Sequence, residues 1–343
     1  MKMIQVIHCA KRQYVLYIIF SHAIINEVFK KLIIFYESEK KMETTNMNLT
    51  GKASIDKPWL KYYPEELHNM ETPKITLEEF LKMKNPDDSK IAFEYYGNKI
   101  TWKTLWEEVD KAAKSLKVLG FGDGNRLPMF LPSTPAHYII LLAAERIGTA
   151  IICRDDIPEE LCFAIRKSKS NTAFVMDYTS KEDEQLFRET TPMTRMIKVS
   201  PYCYADKASV PDYVEKEIAS RYVNPTDSTE GVLTWDEFMA LGENYTEDYR
   251  AERNPDRAVF GAYTSGSTGI SKLVIHSSSN MVAVAFQMSI FIPPSPVQEK
   301  WWLPILPPAL IAVTVSMTLF PLSAGLIVVL DPFCPISDVD IAF

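Results

Sequence analysis

Apolar residues recur every three or four positions in several stretches of the chain, and this spacing predicts amphipathic helices. Leu105, Val109 and Leu116 share one such face, within a helix predicted over residues 101–119. Four further helices are predicted: from Thr76 onward, over 135–147, over 158–169 and near 213–222. Helical segments are therefore expected along most of the chain that follows residue 76.

Short apolar runs bounded by Gly, Pro or polar residues predict strands between these helices. Gly97-Asn98 separates two of them and indicates a β-hairpin. The other strands are predicted over 126–131, 149–153, 172–176, 196–199, 257–263 and 326–330. Since strands and helices alternate, the sequence predicts an α/β fold with a mostly parallel sheet and flanking helices. Residues 200–255 are less regular, which predicts a surface excursion within that fold.

One long stretch, residues 303–330, carries no charge and has to be compared with a membrane span. Proline disfavours a continuous helix, and four prolines interrupt this stretch: Pro304, Pro307, Pro308 and Pro321. The prediction is therefore a buried helix over 309–320 followed by a buried strand, and membrane association is not expected.

The first 42 residues differ from the rest of the chain in charge. They contain seven Lys or Arg and three Asp or Glu, whereas the whole chain has a net charge of −7. Residues 13–26 are uncharged, but they are too short to span a bilayer and no small-x-small cleavage site follows. We predict an N-terminal extension over 1–42, with Met42 or Met47 as alternative starts, and one domain over 43–343. A membrane anchor and a signal peptide are the alternatives for the extension.

The composition, 47% apolar and 24% charged over 343 residues, is that of a globular protein. The acidic balance argues against a partner such as nucleic acid, which binds basic surfaces. The five cysteines lie far apart and form neither CxxC nor Cys/His spacings. The sequence therefore predicts no zinc site and no disulfide framework, and a cytoplasmic protein.

The most informative stretch follows the strand over 257–263 and reads Tyr263-Thr-Ser-Gly-Ser-Thr-Gly-Ile-Ser-Lys272. Glycines let a backbone approach an oxyanion, hydroxyls and amides donate hydrogen bonds, and lysine adds a positive charge. These properties make the stretch a candidate phosphate-binding loop, although a plain turn has a similar composition. It fits neither the Walker A pattern nor the GxGxxG pattern of dinucleotide-binding folds. The candidate binding residues are Thr264, Ser265, Gly266, Ser267, Thr268, Gly269 and Lys272.

This loop resembles the signature loop of the adenylate-forming (AMP-binding) enzymes: acyl-CoA synthetases, luciferases and the adenylation domains of peptide synthetases. In that family the loop holds the β- and γ-phosphates of ATP, which implies this role for residues 264–269 and Lys272. Ser271 stands where the family commonly has proline. His276 matches a histidine that commonly follows the loop, and we expect it to make a structural hydrogen bond at a helix entry.

The resemblance extends from about residue 55 to the end of the chain. Residues 57–64 are similar to the lead-in of the long-chain fatty-acyl-CoA ligases, and residues 322–333 to the strand region after the loop. It implies the front part of the large N-terminal domain of such an enzyme, a ligase of fatty acid metabolism. ATP, Mg²⁺ and CoA are the implied cofactors, and a small carboxylic acid is the implied substrate.

Several parts of the family's machinery do not occur in this sequence, which has neither a Tyr-Gly-x-Thr-Glu nor a Thr-Gly-Asp segment. Asp331, Asp338 and Asp340 are expected in solvated turns, so no metal ligand and no catalytic residue is predicted. Residues 304–310 lack the aromatic or histidine often found near the acyl pocket, and Trp301 and Trp302 are expected to pack in the core.

The expectation is an incomplete AMP-forming acid–CoA ligase that is not active alone. A fragment, one piece of a split gene with a complementary C-terminal chain, and a degenerate relative all fit it. The alternative is a non-catalytic nucleotide-binding or interaction module on the same fold.

Overall fold

A computed structural model of the chain describes residues 50–154, 158–225, 227, 229–264, 271–290, 300–304 and 306–333. The chain divides into two compact units, residues 1–71 and 72–343. The described part of the first unit contains a helical turn, α1 (Ala53–Asp56), and two 3-10 turns, Leu60–Tyr62 and Glu65–Leu67. The predicted boundary after residue 42 lies outside the described residues and stays a prediction.

The second unit contains two β-sheets, as the alternation of strands and helices predicts. Their strands are β1 (Ile91–Tyr95), β2 (Asn98–Thr101), β3 (Arg126–Met129), β4 (Ala150–Cys153), β5 (Thr172–Met176), β6 (Arg195–Val199), β7 (Val232–Thr234), β8 (Ala258–Tyr263), β9 (Leu273–Ser277), β10 (Trp301–Trp302) and β11 (Ile327–Leu330). The larger sheet has the order β7-β6-β5-β3-β4-β8-β9 and is parallel except for β9, which is antiparallel to β8. The smaller sheet has the order β10-β11-β1-β2, and the predicted hairpin at Gly97-Asn98 joins β1 to β2.

The helices of the second unit alternate with these strands. They are α2 (Leu77–Lys84), α3 (Trp102–Val118), α4 (Pro135–Ile147), α5 (Pro158–Ser168), α6 (Lys181–Thr190), α7 (Asp212–Arg221), α8 (Trp235–Ala240), α9 (Ser278–Ile290) and α10 (Phe320–Ser323). The capping box predicted at Thr76 is present: Thr76 accepts the Glu79 amide, and Glu79 in turn accepts the Thr76 amide. Thr101 caps α3 in the same way, by accepting the amide of Thr104.

Helix α4 lies at the centre of the unit, because all of its residues from Pro135 to Ile147 are buried. Such a helix is expected to be apolar all round. Its buried titratable residues nevertheless include His137 and Glu145. Their partners must therefore lie within the protein, and both are described below.

The uncharged stretch 303–330 forms a buried helix and a strand, as predicted. The helix is wound as a π-helix over Val313–Leu319 before it continues into α10, and no sequence signal predicted this winding. The Thr318 hydroxyl is hydrogen-bonded to Tyr138 Oη at 2.9 Å. None of the helices in the described ranges is both long enough and apolar enough to cross a bilayer.

Three predictions about this unit are wrong. Asp331 does not lie in a solvated turn: its carboxylate accepts hydrogen bonds from Tyr96 Oη at 2.7 Å and Tyr213 Oη at 2.9 Å. Residues 200–255 are not a surface excursion, because they contribute β7 at one edge of the larger sheet. Trp301 does not pack in the core, because it is 38% exposed on a strand of only two residues. Trp302 is half-buried and packs edge to face on Phe320, with ring centroids 6.3 Å apart. Asp338 and Asp340 lie outside the described residues.

Candidate functional site

The candidate loop connects β8 to β9, the last two strands in the order of the larger sheet. Strands β4 and β8 are parallel neighbours, so β8 ends at Tyr263 on the same side of the sheet as the C-terminal ends of the other parallel strands. Open α/β sheets bind their ligands along this carboxyl edge. Strand β9 then returns along β8, with Leu273 opposite Tyr263. The sheet therefore presents the loop where a ligand is expected.

Thr264 and Lys272 close the base of the loop. The Thr264 amide donates to the Lys272 carbonyl oxygen at 2.9 Å, and the Lys272 amide donates to Thr264 Oγ1 at 3.1 Å. The first bond extends the β8–β9 ladder by one step, and the second replaces a ladder bond by one to a side chain. Both side chains are exposed. The predicted binding residues at the two ends of the loop are thus held next to each other.

The second of these bonds orients the threonine hydroxyl. Because Thr264 Oγ1 accepts the Lys272 amide, its own proton is available for donation to another acceptor. Lys272 adds a positive charge a few residues along the same loop. This combination of a hydroxyl donor and a cation suits an anionic oxygen. The other predicted binding residues, Ser265, Gly266, Ser267, Thr268 and Gly269, lie outside the described residues, so their roles stay predictions.

One residue at this edge escaped the sequence analysis. Arg154 directly follows β4, and its side chain is only 7% exposed. Its Nη1 donates to Ser271 Oγ at 3.2 Å, and its Nη2 forms an ion pair with Glu160 at 2.7 Å. The guanidinium carbon lies 4.4 Å from the centroid of the Tyr263 ring. The position of Arg154 after a predicted strand was the only available signal, since Tyr263 and Ser271 lie more than 100 positions further along the sequence.

His276, predicted to make a structural hydrogen bond, lies in β9 opposite Phe260. Burial lowers the pKa of its imidazole. The bond at the start of α9 is made instead by Ser278, whose hydroxyl donates to the buried carboxylate of Glu145. The same carboxylate accepts the amides of Leu77 at 2.7 Å and Glu78 at 3.0 Å, at the start of α2. Glu145 therefore joins the beginnings of two helices.

Mg²⁺ is the metal that the resemblance implies, and it prefers carboxylate and carbonyl oxygens. Over the described ranges, no group of three or more His, Cys, Asp or Glu residues could hold a metal ion. Mg²⁺ that binds with a nucleotide takes only one or two carboxylates and completes its shell with phosphate and water oxygens, so no Mg²⁺ ligand is assigned among those residues.

Comparison with known proteins now decides the family. The family model described as "AMP-binding enzyme" matches residues 82–342, well over half of the chain. The chain belongs to the AMP-binding enzyme family. The matched stretch of this AMP-binding chain begins within α2, and it includes both sheets and the candidate loop.

The curated relatives of this AMP-binding chain include an acetyl-coenzyme A synthetase from Shewanella frigidimarina. The two are 25% identical over 210 residues, which are 60% of this chain and 30% of the relative. This chain therefore spans about a third of the length of that relative. The finer resemblance to the long-chain fatty-acyl-CoA ligases stays a prediction.

Solved structures show the same fold at low identity. The N-terminal domain of FACL13 from Mycobacterium tuberculosis superposes with a TM-score of 0.53 and 17% identity, over 75% of this chain and 57% of that one. ATP-bound MatB from Rhodopseudomonas palustris gives a TM-score of 0.56 and 15% identity, over 75% and 46% of the two chains. The α/β fold predicted from the sequence, the front of an adenylate-forming N-terminal domain, is confirmed.

Proposed function

We propose that this chain supplies the ATP phosphate-binding part of an AMP-forming acid–CoA ligase. The observation that carries the proposal is the closed loop base, in which Thr264 and Lys272 hold each other at the carboxyl edge of the sheet. Membership of the family supports it, as does the superposition on MatB, which was solved with ATP bound. Loop residues 265–269 complete the proposed cradle on the basis of their sequence.

In the parent reaction a carboxylate oxygen attacks the α-phosphorus of ATP. The bond between that phosphorus and the bridging oxygen of pyrophosphate breaks, which gives an acyl-adenylate. The CoA thiol then attacks the acyl carbon, AMP leaves with the bonding electron pair, and the thiol proton passes to solvent. Charge develops on pyrophosphate in the first step, so the Thr264 hydroxyl and the Lys272 ammonium stabilise it by donating to its oxygens.

The substrate is proposed to be a small carboxylic acid, since the Shewanella relative is a synthetase of acetyl-CoA. Fatty acid metabolism, CoA as thiol donor and Mg²⁺ with ATP are parts of the same proposal. A cytosolic location is also proposed, because the cysteines of the sequence are isolated.

We further propose that this chain does not complete adenylation alone; a complementary C-terminal chain would be its partner if the gene is split, and a fragment or a degenerate relative are the alternatives. The sequence contains neither of the two downstream family segments, and losing several positioning groups together removes most of the rate. ATP–pyrophosphate exchange with a panel of carboxylic acids is therefore expected to stay at background. Robust exchange by the purified chain with any acid would refute this part of the proposal.

The phosphate-binding role is tested by calorimetric titration with ATP. Replacing Lys272 by alanine removes a charge-assisted contact worth about 1.5–3 kcal/mol, so the affinity should fall by about ten- to a hundredfold. Gly266→Val should weaken binding further, because a β-branched side chain blocks the approach of the backbone to a phosphate. Lys216→Ala is the matched control, since Lys216 is an exposed lysine on α7.

Equal ATP affinity in the wild type, Lys272→Ala and Gly266→Val would show that the loop does not bind phosphates. Binding that is lost in both variants, with no exchange activity when a C-terminal chain of the family is supplied, would favour the non-catalytic nucleotide-binding module. These experiments on the same protein therefore distinguish part of a ligase from a non-catalytic nucleotide-binding module.

A further inference from the structure

Arg154 connects the start of α5 with the two ends of the candidate loop, which lie more than 100 positions further along the sequence. Its guanidinium contacts Glu160 on α5, the ring of Tyr263 at the end of β8, and Ser271 at the loop base. Arginine suits this task because its N–H donors lie in one rigid plane, so a single side chain fixes several partners at once. The residue therefore locks the end of β4 to the strand that leads into the loop.

Ser271 passes this contact on to the residue that closes the loop. Its hydroxyl accepts a hydrogen bond from Arg154 Nη1 and donates one to the Thr264 carbonyl oxygen at 2.5 Å. Thr264 in turn exchanges two hydrogen bonds with Lys272. A continuous chain of hydrogen bonds thus runs from Arg154 through Ser271 and Thr264 to Lys272.

The environment of Arg154 makes this chain rigid. A buried guanidinium needs a negative partner and well-placed acceptors, because desolvating an unpaired charge is costly. Glu160 supplies the charge from a side chain that is 42% exposed, whereas the Arg154 side chain is 7% exposed. Phe163 packs edge to face on the Tyr263 ring, with centroids 5.9 Å apart, and supports the surface on which Arg154 lies.

We propose that Arg154 is a positioning residue for the phosphate loop, acting through Ser271 on Thr264 and Lys272. The guanidinium contacts Glu160, Tyr263 and Ser271, and its effect on a bound phosphate is assigned to the shape of the loop base. This inference rests on the proposed binding of ATP for its functional half. Its structural half, the fixed loop base, stands without any ligand.

The structural half is tested by amide hydrogen exchange on the ligand-free chain. Arg154→Met keeps the length and the apolar contact with Tyr263 but removes the donor to Ser271. The Lys272 amide, bonded to Thr264 Oγ1, and the Thr264 amide should exchange about tenfold faster in this variant, because the base opens more often. Ser271→Ala should give a similar increase. Amides in β5, which is not adjacent to Arg154 in the sheet, should be unchanged and serve as the check that the protein is folded.

The functional half is tested by ATP affinity in a double-mutant cycle. Arg154→Met and Ser271→Ala should each weaken ATP binding by about tenfold, and the double variant by little more than either single one. Arg154→Lys keeps the charge but not the planar fork, so it should restore only part of the affinity. Arg166→Met is the matched control. It removes an exposed arginine of α5 that donates a hydrogen bond from Nη1 to the Thr190 carbonyl oxygen at 3.2 Å.

The outcomes separate the inference from the proposed function. If the wild type fails to bind ATP, the proposed function fails, and hydrogen exchange alone then judges whether Arg154 fixes the loop base. Full recovery of ATP affinity in Arg154→Lys would show that charge alone matters and would overturn the positioning role. Strictly additive effects of the two substitutions, or unchanged exchange at Thr264 and Lys272, would overturn it as well.

Discussion

Relative to the wild type, the Glu145→Gln variant is expected to gain about 2–3 kcal/mol of unfolding free energy as the pH rises from about 4.5 to about 6.5. The reason is that α4 carries two buried groups, Glu145 and His137, whose contributions to the unfolding free energy change in opposite directions with pH. Burial raises the pKa of Glu145 to about 7 from 4.5, against the bonds from Ser278 and the amides of Leu77 and Glu78. Burial lowers the pKa of His137 to about 4 from 6.5.

The signs of the two effects follow from proton binding. Between pH 4.5 and 7 the folded state keeps the proton of Glu145 that the unfolded state has released, so this group's contribution to stability falls as pH rises. Between pH 4 and 6.5 the unfolded state protonates His137 while the folded state does not, so this contribution rises with pH. The two slopes cancel over the shared range.

The geometry explains why His137 stays neutral. Its Nδ1 donates to the Leu131 carbonyl oxygen at 3.0 Å, so the neutral ring has its second nitrogen, Nε2, as an acceptor. Nε2 is buried and has no hydrogen-bond partner among the described residues. A second proton would therefore place an unsatisfied charged donor in the core.

Each substitution should expose the contribution of the other group. Glu145→Gln leaves the rising slope of His137, His137→Gln leaves the falling slope of Glu145, and the double variant should differ from the wild type by a constant. The measurement is the unfolding free energy in urea at several pH values from 4.5 to 6.5, expressed as the difference from the wild type. A difference that does not change with pH in either single variant would contradict the assignment.

Gly242→Ala should lower the free energy of unfolding by about 3 kcal/mol. Gly242 lies just after α8, where the chain passes directly over α3. A Cβ atom there would stand 2.8 Å from Lys114 Cβ and Ser115 N and 2.9 Å from the Lys111 carbonyl oxygen. Two of these three atoms belong to the backbone of a long helix, so the clash is relieved only if α8 and α3 separate.

Separation would also break a buried hydrogen-bond pair. The Gly242 amide donates to Ser115 Oγ at 3.0 Å, and Ser115 Oγ donates to the Met239 carbonyl oxygen at 3.2 Å. Gly122→Ala is the matched control: a Cβ at Gly122 meets only the flexible end of Lys117, at 3.3 Å, and the unfolding free energy should change by less than about 0.5 kcal/mol. Equal midpoints of urea unfolding for the two variants would refute the close approach of the helices.

Elements with a strong local signal could be predicted from the sequence. The bounds of α4 and β5 agree with the structure, and α3 agrees to within one residue at each end, because periodicity and flanking breakers are local properties. Helix α9 was missed because Val284 and its other apolar residues surround the helix without a polar face. The short helix α8 was missed because six residues give too little periodicity.

Contacts between distant parts of the chain could not be predicted. The loop was recognised from its own ten residues, but Arg154 reaches it only because β4 and β8 are neighbours in the sheet. Nothing in the sequence pairs these two strands, since seven helices and strands of the described chain lie between them. The same holds for Glu145, whose partners Leu77 and Ser278 lie 68 and 133 positions away.

These contacts fix both ends of β9. Ser271, just before it, is bonded to Arg154, and Ser278, just after it, is bonded to Glu145. A strand slips along its neighbour one residue at a time, and each such step turns every side chain to the opposite face of the sheet. With both ends anchored, β9 cannot slip in register against β8. The backbone of Lys272, from which its ammonium extends, is thereby held from both ends of a five-residue strand at the edge of the sheet.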